Sequence, residues 1–270
     1  MKILIKWVLH LFNWDTFKSE KTTENKVTGL LAEKDDERDH IVGVPTAEQI
    51  INRPIKYRIP ESTIVRNQRN LNSCASFSAC DCVETETLNN NPAQHVTLSR
   101  LFHYYVARKE VNKTFPKDGG MTIRDSLKTM HQVGNALEYA YPYDVTKVND
   151  VPPWGAWVLT NILKIKEYKR LLNLEQIKLA VSKNKPTNAG ITIYRNYYDL
   201  NKENNVYVPN KRMSNFGGHA QMVVGYDDEK QLIELKNSWG GQWGKNGYCF
   251  MTYEDFEKES SMYQWWVCEI

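Results

Sequence analysis

Apolar positions in the first half of the chain recur at three- and four-residue spacings. Phe77, Cys80, Val83, Glu84 and Leu88 include such a repeat with no glycine or proline among them, which predicts a helix from Cys74 to about residue 88. Leu98, Leu101, Phe102, Tyr105 and Val106 share one face of a second helix over 97–109. A third follows Gly119-Gly120 through Ile123, Leu127 and Met130 and stops at Gly134. A fourth is expected over 174–183, with Asn173 as its cap. After Pro186 the pattern changes to short β-rich runs at 191–194, 220–226, 232–235, 248–251 and 265–268, with a turn at 227–230. Helices first and strands second make an α+β fold, with a helical lobe over about 65–165 facing a strand-rich lobe over about 170–270. Residues 1–50 read as an arm, irregular and polar over 15–40. Residues 41–73, with Pro45, Pro54 and Pro60, read as extended surface chain.

The charge balance adds little to this picture. The 35 basic and 32 acidic side chains leave a net charge of +3, which gives no reason to expect nucleic acid. The short basic runs at 164–170 and 211–212 read as solvated faces. No apolar stretch approaches the ~20 residues of a membrane span. Residues 1–12 have the basic start and short apolar run of a weak signal peptide, but Lys6 and His10 interrupt it and no small-residue cleavage site follows. An edge strand or helix is the expectation there.

The five cysteines do change the picture. Their number is odd, and Cys80 and Cys82 are too close on a helix to face each other. This is no disulfide scaffold. A reducing compartment such as the cytoplasm fits best, with export not excluded and a Cys249–Cys268 bridge left open. One cysteine must be weighed as a reactive thiol. Cys74 sits where loop hands over to helix, and the free amides and dipole of a helix N-terminus stabilise a thiolate. Taken singly, a cysteine is more often a buried hydrophobe, and it needs a base. His219 opens a strand behind Gly217 and Gly218. Asn237 can orient its imidazole, completing a nucleophile–base–orienter set. Trp239 and Trp243, among four glycines, would keep water off that hydrogen bond. No His/Cys/Asp cluster has metal-ligand spacing, and no cofactor is implied.

Together the segments 67–78, 217–226 and 236–248 resemble the papain and cathepsin family of cysteine peptidases, in which a Cys–His–Asn set is an established variant of the serine triad. His219 follows Cys74 by 145 residues, near the ~130–150 expected. The resemblance implies a two-lobed fold with a barrel-like strand lobe and the cleft between the lobes. It makes Cys74 the nucleophile, His219 the base, Asn237 the orienter and Gln68 the oxyanion-hole glutamine. Asp118-Gly119-Gly120-Met121-Thr122-Ile123 resembles the family's groove-lining segment, and Tyr141-Pro142-Tyr143 its Tyr-Pro-Tyr element. Two departures stand out. The usual tryptophan after the nucleophile is Ala75, and the two cysteines that normally join the nucleophile loop to the Gly-Gly segment are absent.

The short N-terminal arm is closer to bacterial-type members than to the long propeptide of secreted ones, and in such relatives it can lie near the cleft. The implied reaction is hydrolysis of a peptide or protein substrate through a thioester, most simply as an endopeptidase. A silent peptide-binding relative, an exopeptidase, an amide hydrolase and a ligase stay open. The family selects mainly on the residue two before the cleaved bond. Met121, Thr122, Ile123, Ala189, Gly190 and Gly217 are the expected walls of that pocket, roomy and uncharged.

Overall fold

A computed structural model describes residues 26–158 and 160–270. The reading of residues 1–12 lies outside them. Seven helices and seven strands carry the frame of the described residues. The helices are α1 (Ala47–Asn52), α2 (Cys74–Asn90), α3 (Arg100–Val106), α4 (Ile123–Gln132), α5 (Trp154–Trp157), α6 (Leu174–Val181) and α7 (Tyr253–Glu259). The strands are β1 (Lys56–Arg58), β2 (Glu167–Leu171), β3 (Thr187–Tyr194), β4 (Asn215–Asp227), β5 (Leu232–Lys236), β6 (Tyr248–Thr252) and β7 (Trp265–Glu269). Among these helices no segment is long and apolar enough to cross a membrane.

The strands form one antiparallel sheet in the order β2-β7-β3-β4-β5-β6, with β1 added to the far end of β4. The path is open at β2 and β6, so the barrel-like lobe expected from the sequence is an open sheet instead. The four expected helices form, and Asn173 caps α6 by accepting from the Gln176 amide. Residues 41–73 are not merely extended. Thr46 and Gln49 form a reciprocal capping box that starts α1, a signal present in the sequence. The basic run at 164–170 contains β2, an edge strand whose Lys169 and Arg170 pair with Glu167 and Asp35. All five cysteines are free. Cys249 and Cys268 lie in different core clusters, so the bridge left open is not made.

Helix α2 packs against β4 and is buried around most of its circumference, which is why it shows no apolar stripe. Its buried carboxylates are held by cations from both sides. Arg100 reaches Asp81 and Glu84 at 2.5 Å each, and Arg66 reaches Glu84 at 3.2 Å. Lys236, at the end of β5, reaches Asp81 at 3.0 Å. Burial acts to raise both carboxyls, but these cations hold them below their ordinary values. The cluster fastens the helix that starts at Cys74 to the strand that ends one residue before Asn237.

Removing one partner of such a cluster leaves buried charge uncompensated. Arg100→Met is therefore expected to lower unfolding free energy by about 3–5 kcal/mol. Urea denaturation checks this, and a loss under about 1 kcal/mol would show that the carboxylates find other partners.

Candidate active site

Cys74 is the first residue of α2 and is fully buried. The loop before it is braced from two directions. The Tyr143 hydroxyl donates to the Gln68 carbonyl and meets Ser73 Oγ, both at 2.9 Å. Asp118 accepts from the Asn72 amide at 3.1 and 3.2 Å and from the Tyr104 hydroxyl, while Asn72 Nδ2 donates to the Asp118 carbonyl at 2.7 Å. These polar bonds join the loop before Cys74 to the Gly-Gly segment, where the resemblance would have put a disulfide.

His219 and Asn237 sit on neighbouring strand ends. His219 lies within β4, and Asn237 directly follows β5. Asn237 Oδ1 accepts from His219 Nε2 at 2.7 Å and from the Ser238 amide at 2.7 Å. Two donors on one oxygen place the imidazole proton on Nε2. That leaves Nδ1 as a lone pair, and it is buried with no hydrogen-bond partner. The Trp239 ring covers the imidazole at a centroid distance of 4.8 Å. Trp243 packs edge-on to Trp239 and donates its Nε1–H to the Tyr197 carbonyl at 3.0 Å. Ala220, next to His219, packs in the same buried cluster as Cys74.

Gln68 is fully buried and enclosed. Its Oε1 accepts from Ser238 Oγ at 2.5 Å, its amide donates to the Ser238 carbonyl at 2.8 Å, and its Nε2 donates to the Leu71 carbonyl at 2.9 Å. Ser238, adjacent to Asn237, therefore fixes which way the Gln68 amide points. Sequence reasoning passed over it because a serine in that place has no signature of its own.

The N-terminal arm lies in the cleft. The Leu30 amide donates to the Gly218 carbonyl, the Leu31 amide to the Met121 carbonyl and the Met121 amide to the Gly29 carbonyl, at 3.0–3.1 Å. The Leu30 side chain is in contact with Gly190 and is buried with Met121, Ile123 and Cys74, with Tyr263 packed against them. Further along, the Val27 carbonyl accepts from Gln68 Nε2 at 3.4 Å, and Gly29 lies against the Asn72 backbone, two residues before Cys74. Thr28 lies beside Gly217. The arm is anchored outside the cleft as well. Glu33 accepts from the Arg124 amide and from Trp266 Nε1, and Asp39 pairs with the Arg124 guanidinium at 2.6 Å.

Of the residues expected to bind substrate, which include Gly119, Gly120 and Gly218 beside the pocket walls, Gly120, Met121, Ile123, Gly190, Gly217 and Gly218 surround the arm. Ala189 faces the other side of β3 and packs in the sheet core, since successive strand residues alternate. Thr122 caps α4, and Gly119 has only Thr114 near it. Tyr263 closes the pocket beside Gly190 and Gly218. It went unnoticed because it comes from a distant loop before β7.

Burial acts on both ionisable groups. It pushes the Cys74 thiol up to about 11 and the His219 imidazole down to about 4, so both are neutral at pH 7 in this closed form.

The family model "Papain family cysteine protease" matches residues 54–266. The chain is 27% identical over 222 residues to a peptidase C1-like protein of Acanthamoeba polyphaga mimivirus, covering 78% of this chain and 71% of that one. It is 26% identical over 218 residues to cathepsin J of Mus musculus, covering 69% of this chain and 55% of that protein's length. In structure it is similar to Xylellain, a cysteine protease from Xylella fastidiosa, with a TM-score of 0.80 at 26% identity, covering 93% of this chain and 99% of that one.

The arm passes so close to the nucleophile loop that a methyl on Gly29 would stand 2.2 Å from the Asn72 carbonyl oxygen. Gly29→Ala is expected to displace the arm and raise the rate at which a peptidyl epoxide labels Cys74. Intact-mass kinetics check this, and a labelling rate equal to the parent's would mean that the arm does not guard the thiol.

Proposed function

Because this chain belongs to the papain family of cysteine proteases, with a bacterial protease among its structural neighbours, we propose that it hydrolyses peptide bonds through Cys74, His219, Asn237 and Gln68. The observation that carries this reading is the unengaged Nδ1 of His219, kept as a lone pair by the Asn237 bond, on a residue whose neighbour Ala220 packs in one cluster with Cys74. Once the arm leaves, water and the helix N-terminus favour an imidazolium–thiolate pair. The thiolate attacks the scissile carbonyl carbon. Gln68 Nε2 and the Cys74 amide donate to the oxygen as it becomes negative. His219 gives its proton to the leaving amine, and the C–N bond breaks to leave a thioester. A water molecule, losing its proton to His219, then releases the acid and restores the thiol.

The described arm suits an inhibitor better than a substrate. In a substrate the pocket residue precedes the carbonyl under attack. In the arm the pocket residue, Leu30, follows the carbonyl that meets Gln68, that of Val27. The arm thus runs in the opposite sense and does not offer a bond for cleavage. It also enters and leaves the cleft as continuous chain from Lys26 to Glu33, which favours an endopeptidase.

Cys74→Ala should abolish turnover without loss of fold, since alanine fits the same space. Gln68→Ala should lower kcat by roughly 10²–10³, the scale of one lost oxyanion donor, with KM little changed. Steady-state kinetics on a fluorogenic peptide check both. A near-normal rate in the alanine variant of Cys74 would refute the nucleophile, and a large KM effect with intact kcat would make Gln68 a substrate-binding residue.

With Leu30 as its occupant, the pocket is expected to take leucine and phenylalanine two residues before the cleaved bond. Tyr263→Ala removes the ring that limits its depth and should shift preference toward phenylalanine by about 1–3 kcal/mol in kcat/KM. A positional-scanning library reads this directly. A dominant acidic or basic preference at that position would show that these are not its walls.

A further inference from the structure

The arm is a peptide held in the cleft, so its side chains report what the cleft accepts. Leu30 marks the pocket on one side of the Gln68 amide. Lys26 stands on the other side, beyond the Val27 carbonyl. Its ammonium lies 5.4 Å from the Trp239 ring centroid and 5.9 Å from that of Tyr198. The two rings are 4.9 Å apart and inclined by 32°, so the cation meets both. The Tyr198 hydroxyl also donates to the Lys26 carbonyl at 2.7 Å. One residue therefore holds the peptide main chain and presents an aromatic ring to its side chain.

Burial lowers the Lys26 ammonium from its ordinary value. The attraction available at this place is that of the ring quadrupoles, which favour a cation over a neutral chain of equal length. The Tyr198 ring already meets one cation, the Arg195 guanidinium at 5.7 Å. The arm nevertheless puts a lysine there.

Resting on the peptidase reading, we propose that Tyr198 and Trp239 form a cation-accepting subsite on the leaving-group side of the cleft. It selects substrates that carry lysine or arginine at the first or second position after the cleaved bond. Leu30 and Lys26 together then describe a two-point preference, apolar before the bond and basic after it.

Internally quenched peptides test this. They are identical except for lysine, norleucine or glutamate at each of those two positions. Norleucine matches the lysine stem without the charge. The full chain carrying Gly29→Ala is used, alone and with Tyr198→Leu. The arm competes equally with every peptide, so ratios of kcat/KM do not depend on how far it is displaced. Lysine should exceed norleucine by about three- to tenfold at one position, and the ratio should fall to near one with Tyr198→Leu. Equal rates for lysine and norleucine, a preference for glutamate, or a lysine preference that survives Tyr198→Leu would each overturn the proposal. Fluorescence-anisotropy binding of the same peptides to Cys74→Ala gives a readout without turnover. The lysine ratio in binding with no cleavage by any Cys74-bearing form would sustain the subsite and refute the peptidase reading.

Discussion

One hydrogen bond sets the chemistry available to this cleft, that from His219 Nε2–H to Asn237 Oδ1 at 2.7 Å. Because the same oxygen also accepts from the Ser238 amide, the Asn237 side chain cannot rotate freely, and the tautomer of the imidazole follows. The lone pair at Nδ1 is a consequence, as is the need for an aromatic cover. Trp239 keeps water from competing for a bond of this kind. The buried cluster of Asp81, Glu84, Arg66, Arg100 and Lys236 serves the same end at longer range. It fixes α2, and with it Cys74, against the strand that ends beside Asn237. Such a cluster contributes modestly to net stability, since desolvation of the charges opposes their attraction. Its evident effect is to hold two lobes in one register.

The arm lies across this arrangement. Cys74 and His219 are both fully buried, and burial disfavours the charged form of each. Obstruction and electrostatics thus work in the same direction. The bonds of the arm to Gly218 and Met121 are main-chain bonds of the sort a substrate would also make. Its hold on this cleft therefore comes from Leu30 and Lys26, and from the carboxylates of Glu33 and Asp39 outside it.

Much of this was legible in the sequence. The helix from Cys74, the strand at His219 and the glycine-rich segment after Asn237 each follow from periodicity or turn chemistry. The family resemblance joined them into one site. What escaped was contributed by residues that carry no local signal. Ser238 orients Gln68 only because two loops meet. Tyr263 enters the pocket from the segment between two expected strands, and Ala189 turns out to face the sheet core since strand alternation fixes one face per residue. The Asp118–Asn72 bonds span 46 residues, a pairing that no local pattern encodes. The open sheet differs from the barrel-like lobe because β2 and β6 remain edges.

The central claim is that His219 activates Cys74 and no other thiol. The decisive measurement is intact-mass and peptide-mapping analysis after a peptidyl vinyl sulfone, applied to the parent chain and to His219→Ala. The account predicts a single adduct on Cys74 in the parent and none in the variant over the same time, with the variant still folded by circular dichroism. An adduct on Cys80, Cys82, Cys249 or Cys268, or equal labelling of Cys74 without His219, would contradict it.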